Sequence, residues 1–191
     1  MDPGSEVWED FATFLSQAAG SHALAVTGLS QIANTFETLP ATADNPDPTI
    51  HWGAGDPNFL ENSPVYRGWK RSDALAYLRP GGTAVVFQGW SWIALVYGRW
   101  EDDYRHRFAK AMGCGPKEVR SDVFGDLRHL RNDVTHKKGI ASREESGKCQ
   151  VLTAWYEIGQ PIVIGVEHVS AFYKHLQEPD AVYQAQLEQP R

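Results

Sequence analysis

Seven side chains, Val86, Trp90, Ile93, Tyr97, Trp100, Tyr104 and Phe108, recur at steps of four, three, four, three, four and four. That interval returns a side chain to one side of an α-helix, whereas on a strand it would scatter them over both faces. The stretch from Thr83 to Met112 is therefore expected to be the longest helix, bounded by Pro80-Gly81-Gly82 before it and a turn from Met112 to Pro116 after it. A rod with one aromatic stripe buries that stripe only against other helices. The chain is expected to be mainly α.

Other segments fit that frame. Val7, Phe11, Phe14, Leu15 and Ala18 make one stripe, and Leu24, Leu29, Ile32 and Phe36 another, predicting a helical region from Glu6 to Leu39 broken near Gly20-Ser21. Residues 40–70 are expected to be an irregular loop, because 40–69 hold five prolines and three glycines; His51, Trp52, Phe59, Tyr66 and Trp69 would pin it down. Ser72-Asp73 can start a short helix ending at Leu78. Ser142 with Glu145 matches a capping box for a helix carrying Cys149, Val151, Leu152 and Trp155. A short β-hairpin is expected near the C-terminus, residues 154–158 against 161–166, followed by a helix from Val166 to Gln177. Residues 1–178 are read as a single helical domain and 179–191 as a polar tail.

The chemistry concentrates between Asp126 and Gly139, DLRHLRNDVTHKKG. Val119, Val123, Leu127, Leu130 and Val134 form the apolar stripe of a helix expected from Lys117 to Lys138 and stopped by Gly139. Ser121, Gly125, Arg128, Asn132 and Thr135 occupy another face, where Gly125 would admit a second helix. Asn132 and His136 stand one turn apart, but Arg131 and His136 are separated by about 140° around the axis. Both reach one phosphate only if the last turn unwinds before Gly139 or a second copy supplies the missing group. In such a site His136 would take the proton of a ribose 2′-hydroxyl. Arg131 would hold the phosphate with its planar fork, and Asn132 would position an oxygen or the His136 ring. Arg128, Lys137 and Lys138 are the expected substrate-binding cations, and Asp102, Asp103 and Asp133 the expected supporting carboxylates.

Arg131-Asn132-Asp133-Val134-Thr135-His136, with a polar residue directly after the arginine, resembles the R-x-x-x-x-H motif of HEPN domains, a helical family that includes many prokaryotic toxin and defence ribonucleases. The resemblance covers residues 84–176. It implies a helical bundle that dimerises so that two motifs face each other in one composite site. It also implies metal-independent cleavage of RNA, with no metal and no cofactor, and a neutralising partner protein. One departure stands out: a toxin subgroup carries a tyrosine two residues after the histidine, the target of a nucleotidyltransferase antitoxin, and this chain has Lys138 there. The tyrosine that such an antitoxin modifies is therefore missing from the motif here.

Composition narrows the alternatives. With 191 residues, 42% of them hydrophobic and 22% charged, the chain can bury a sizeable core. The net charge of −6 gives no global attraction to nucleic acid, so RNA binding falls to the local patch of Arg128, His129, Arg131, His136, Lys137 and Lys138. Cys114 and Cys149 form no C-x-x-C unit, and His168 and His175 share a helix face without a third ligand in view. No membrane span or leader is expected, and the location is expected to be cytoplasmic. The favoured function is a dimeric endoribonuclease; the alternative is a non-catalytic helical dimer that binds RNA, a nucleotide or a protein partner.

Overall fold

The computed structural model describes residues 3–52 and 67–177 and is mainly helical with one short two-stranded antiparallel sheet. In chain order it contains α1 (Pro3–Glu37), β1 (Thr49–Trp52), β2 (Arg67–Lys70), α2 (Arg71–Leu78), α3 (Thr83–Arg99), a π turn (Trp100–Tyr104), α4 (Arg105–Met112), α5 (Asp122–His136) and α6 (Val166–Gln177). Two single 3-10 turns, Ser146–Lys148 and Thr153–Trp155, lie between α5 and α6. By their contacts the described residues fall into two compact units, 3–25 with 86–177, and 26–52 with 67–85.

The first unit is built on aromatic packing. Phe11 of α1 is fully buried, its ring centroid 4.3 Å from Tyr104 and 5.6 Å from Phe124. Trp100 stacks on Phe124 of α5 at 4.2 Å with an interplanar angle of 9°. Phe172 of α6 meets Phe124 edge-on at 5.5 Å. Each such pair contributes about 0.5–1.5 kcal/mol beyond its buried area, so the cluster fixes α5 firmly against its neighbours. The stripe recognised on α3 continues through α4, with Ile93, Trp100, Tyr104 and Phe108 all buried. Its last two steps are both of four, which drift about 40° each on a regular α-helix. The π turn takes up the drift: the Arg105 amide reaches back five residues to the Trp100 carbonyl, and the three rings stay aligned on Phe11.

The second unit has a small core of Ala33, Leu78 and Ala84, covered by Leu29, Ile32, Phe36, Leu75 and Tyr77. Here residues 40–70 depart from expectation, since β1 and β2 pair within them in the register Thr49↔Lys70 to Trp52↔Arg67. Asp47 caps α2 from a distance, accepting the Ser72 amide at 2.9 Å and the Ser72 hydroxyl at 2.7 Å. These bonds hold the Asp47 carboxyl below its ordinary pKa. Trp69 packs edge-on against Tyr77 at 4.8 Å, as an anchor should. Phe59, Tyr66 and the tail 179–191 lie outside the described residues.

Three local expectations are corrected. Helix α1 runs unbroken through Gly20-Ser21 and, at 35 residues, is the longest; one helical glycine costs only about 1 kcal/mol, which tertiary burial readily exceeds. The hairpin expected at 154–166 does not form: the Ile162 amide bonds to the Gly139 carbonyl at 2.8 Å and the Ala141 amide to the Gln160 carbonyl at 3.0 Å. That strand-like segment pairs instead with residues 139–141, just past the end of α5. The capping box at Ser142 is half made, the Ser142 hydroxyl accepting the Glu145 amide at 3.1 Å. Glu145 does not return the bond, and only the 3-10 turns Ser146–Lys148 and Thr153–Trp155 stand where that helix was expected.

Candidate functional site

Helix α5 begins after Ser121, whose backbone is extended (φ −151°, ψ 122°), and ends where Lys138 (φ 55°) and Gly139 (φ 74°) both turn left-handed. The amides of Lys137 and Gly139 close on the Asp133 carbonyl at 2.9 and 3.0 Å. Gly139 is required there twice over. Its φ suits glycine, and the Trp90 ring lies where a Cβ would stand. Trp90 is itself fixed by an indole hydrogen bond to the Ile162 carbonyl at 2.9 Å. The last helical turn, which carries His136, is thus set from below by Trp90. It does not unwind.

Two carboxylates point inward from α5, two turns apart. Asp126 accepts the amides of Gln150, Val151 and Leu152 at 2.6 to 3.0 Å. Asp133, fully buried, accepts the amide and hydroxyl of both Ser142 and Ser146 at 2.6 to 3.1 Å. Burial pushes the Asp133 carboxyl up, but those bonds outweigh it and hold it below its ordinary pKa. Together the two residues fasten the segment from Ala141 to Leu152 along α5. Asp126 and Asp133 therefore serve the fold and pair with neither Arg131 nor His136.

The fastened segment lays Glu145 across the polar side of α5. Its Oε2 lies 2.7 Å from His129 Nδ1 and accepts Asn132 Nδ2 at 3.1 Å. The His129 bond, ahead of the Asn132 bond, holds the Glu145 carboxyl below its ordinary pKa. Arg131 Nη1 donates to Asn132 Oδ1 at 3.3 Å, which brings the guanidinium around the helix toward Asn132. His129, Asn132 and His136, three and seven residues apart, fall within about 60° of one another around the axis. Gly125 continues the same line, and a Cβ there would meet nothing within 4 Å. The polar face is open at Gly125, roofed by Glu145 at its middle and open again at His136.

No family model, no curated protein and no solved structure matches this chain. The site therefore stands on its own geometry.

Of the expected catalytic residues, the structure joins Arg131 and Asn132 directly and leaves His136 exposed, with no hydrogen bond or ion pair among the described residues. Arg128, Lys137 and Lys138 are all exposed at the same helix. Among the described residues, neither Asp102 nor Asp103 bonds to a motif side chain. Asp103 pairs with Arg99 at 3.7 Å and Arg107 at 3.8 Å, and Asp102 is exposed. The acidic group of the π turn on the motif side is Glu101, which binds Arg105 at 2.9 Å. It raises the pKa of Tyr97 after burial, the larger cause, while Arg128 and Arg131 pull the other way. Sequence reasoning missed the bond from Glu145 to His129. The three-and-seven spacing of His129, Asn132 and His136 was visible, but only the fold brings Glu145 to it.

His168 Nδ1 accepts the Gly165 amide at 3.0 Å at the start of α6. No group of three or more His, Cys, Asp or Glu positioned for a metal occurs among the described residues. No helix among them is long and apolar enough to cross a membrane.

Proposed function

We propose that this chain is the protomer of a dimeric, metal-independent endoribonuclease of HEPN type, with toxin or defence as its setting. The observation that carries the reading is the exposed His136 one turn from the half-buried Asn132 on α5, with the Arg131 guanidinium drawn alongside Asn132. An unpartnered imidazole can take a 2′-hydroxyl proton, and a guanidinium beside an amide can hold a phosphodiester as negative charge grows on it. Internal attack by the 2′-oxygen leaves a 2′,3′-cyclic phosphate and a 5′-hydroxyl. Dimerisation through the open Gly125 face would set two such lines in one cleft and supply from a second copy what a straight helix cannot aim.

The test is incubation of purified protein with total RNA in EDTA, beside a His136→Ala control, with the product ends identified. Cleavage by the parent alone, leaving cyclic phosphates, supports the reading; intact RNA under every condition, chelator absent or present, refutes it. One observation favours a second reading, a non-catalytic dimer that binds RNA, a nucleotide or a protein partner. Asn132 is already engaged on both sides, by Arg131 and by Glu145, so the motif is partly self-satisfied. In that case Arg131→Ala lowers affinity for the bound partner and cleavage is never seen.

A further inference from the structure

We propose that His129, held by Glu145, is a second proton-transfer group of this site, the acid that protonates the 5′-oxygen as it leaves. The assignment rests on the ribonuclease reading above and adds to it a residue outside the R-x-x-x-x-H motif.

The geometry is that of an oriented imidazole. A carboxylate kept below its ordinary pKa only accepts hydrogen bonds, so His129 Nδ1 carries the hydrogen that meets Glu145 Oε2 at 2.7 Å. The other ring nitrogen, Nε2, has no hydrogen-bond partner among the described residues and is not sealed from solvent. The pair is sheltered, with the His129 side chain 14% exposed and that of Glu145 26% exposed. A carboxylate on Nδ1 fixes both tautomer and ring plane and leaves Nε2 as the working nitrogen, and it is the counter-charge for an imidazolium. Glu145 is in turn aimed by the bonds from Ser142 and Ser146 to Asp133. A residue fixed through two layers of hydrogen bonds on an otherwise open face is costly for a merely solvated histidine.

The placement supplies what one histidine lacks. Cleavage requires a base at the 2′-oxygen and an acid at the 5′-oxygen, on opposite sides of the phosphorus. His129 and His136 flank Asn132 on one helix line, about 10 Å apart in rise. With the phosphate over Asn132 and gripped by Arg131 of either copy, His136 removes the 2′-hydroxyl proton and the bond from the 2′-oxygen to phosphorus forms. The bond from phosphorus to the 5′-oxygen breaks, and that oxygen takes the proton from His129 Nε2. His129 leaves the step neutral and His136 charged; solvent reprotonates one and deprotonates the other. Glu145 changes no protonation state and is a positioning residue.

A sulfur substitution reads this directly. The purified protein is given an RNA with a mapped cleavage site and the same RNA carrying sulfur in place of the 5′-bridging oxygen, since a thiolate leaves without a proton. His129→Gln is expected to slow the oxygen substrate by about 10²–10³-fold, a typical worth for a general acid, and the sulfur substrate by less than about fivefold. Glu145→Gln should show the same sulfur-selective rescue at a smaller loss, whereas His136→Ala should be slow on both. Thermal melts confirm that each variant is folded, and Glu145→Gln carries the test if His129→Gln is not. Equal losses on the two substrates in folded variants, or no loss at all, overturn the acid assignment while leaving the nuclease reading in place. A parent that cleaves neither RNA overturns the nuclease reading, and this assignment with it.

Discussion

The carboxylate of Asp133 accepts both the hydroxyl and the amide of Ser146, at 2.6 and 3.1 Å, inside the motif whose outer side carries Arg131, Asn132 and His136. One turn of helix thus divides its labour. Asp133 ties the 142–146 segment down, and that segment delivers Glu145 to the other side. Asp133→Ala would leave four donors facing an apolar wall and is expected to cost about 2–4 kcal/mol. Because the Asp133 pKa is lowered on folding, its contribution is complete above the unfolded value near 3.8 and is lost as pH falls through the folded value. Urea unfolding of parent and variant should therefore differ most at neutral pH and converge in strong acid. A gap independent of pH would contradict this role.

His22 should make the fold sensitive to milder acid. It is 4% exposed, and neither ring nitrogen has a hydrogen-bond partner. Burial lowers its pKa from the ordinary 6.5, outweighing the nearby Gln88 and Ile164 backbone and the Glu167 charge. The unfolded chain then takes up a proton that the folded chain refuses, so stability should fall as pH drops below about 6.5 and continue to fall until the lower, folded pKa is passed. His22→Leu should remove that slope. Melting temperatures across pH 7 to 5 check it, and parallel curves for parent and variant would refute it.

Gly125 within α5 and Gly139 just past its end should respond oppositely to substitution. Gly139→Ala places a Cβ into the Trp90 ring at a left-handed position and should cost about 2 kcal/mol or more in the thermal melt. Gly125→Leu meets open space within the protomer and should leave the melt of the isolated chain unchanged or raised. If the Gly125 face is the dimer contact, the same leucine should shift sedimentation to monomer and lower cleavage in step. Unchanged dimers and unchanged activity would remove that face from the interface.

Much of the helical frame was legible because periodicity records burial directly. The stripe through Ile93, Trp100, Tyr104 and Phe108 and the bounds of α6 at Val166 and Gln177 agree with the sequence pattern. What failed depended on distant partners. Gly20 reads locally as a break, yet α1 is continuous through it, with Phe11, Leu15 and Ala18 buried on its inner side. The residues after Gly159 read as a strand, and they do pair, but with 139–141 rather than with their neighbours. Ser142 and Glu145 read as a helix cap; the glutamate instead crosses to His129. At the site, the order along α5 was visible, while the inward turn of Asp126 and Asp133 needed amides from residues up to twenty-six positions away.

The most direct measurement is a paired assay, in EDTA, of RNA affinity and single-turnover cleavage by the parent, Arg131→Ala and His136→Ala. Neutral imidazole adds little to phosphate affinity, whereas a guanidinium grips ground state and transition state alike. His136→Ala should therefore bind RNA nearly as the parent does and cleave it at least about 10²-fold more slowly, while Arg131→Ala should lose both. Cleavage that persists undiminished in His136→Ala, or that vanishes from the parent in EDTA and returns with magnesium, would contradict a metal-free site built on these residues.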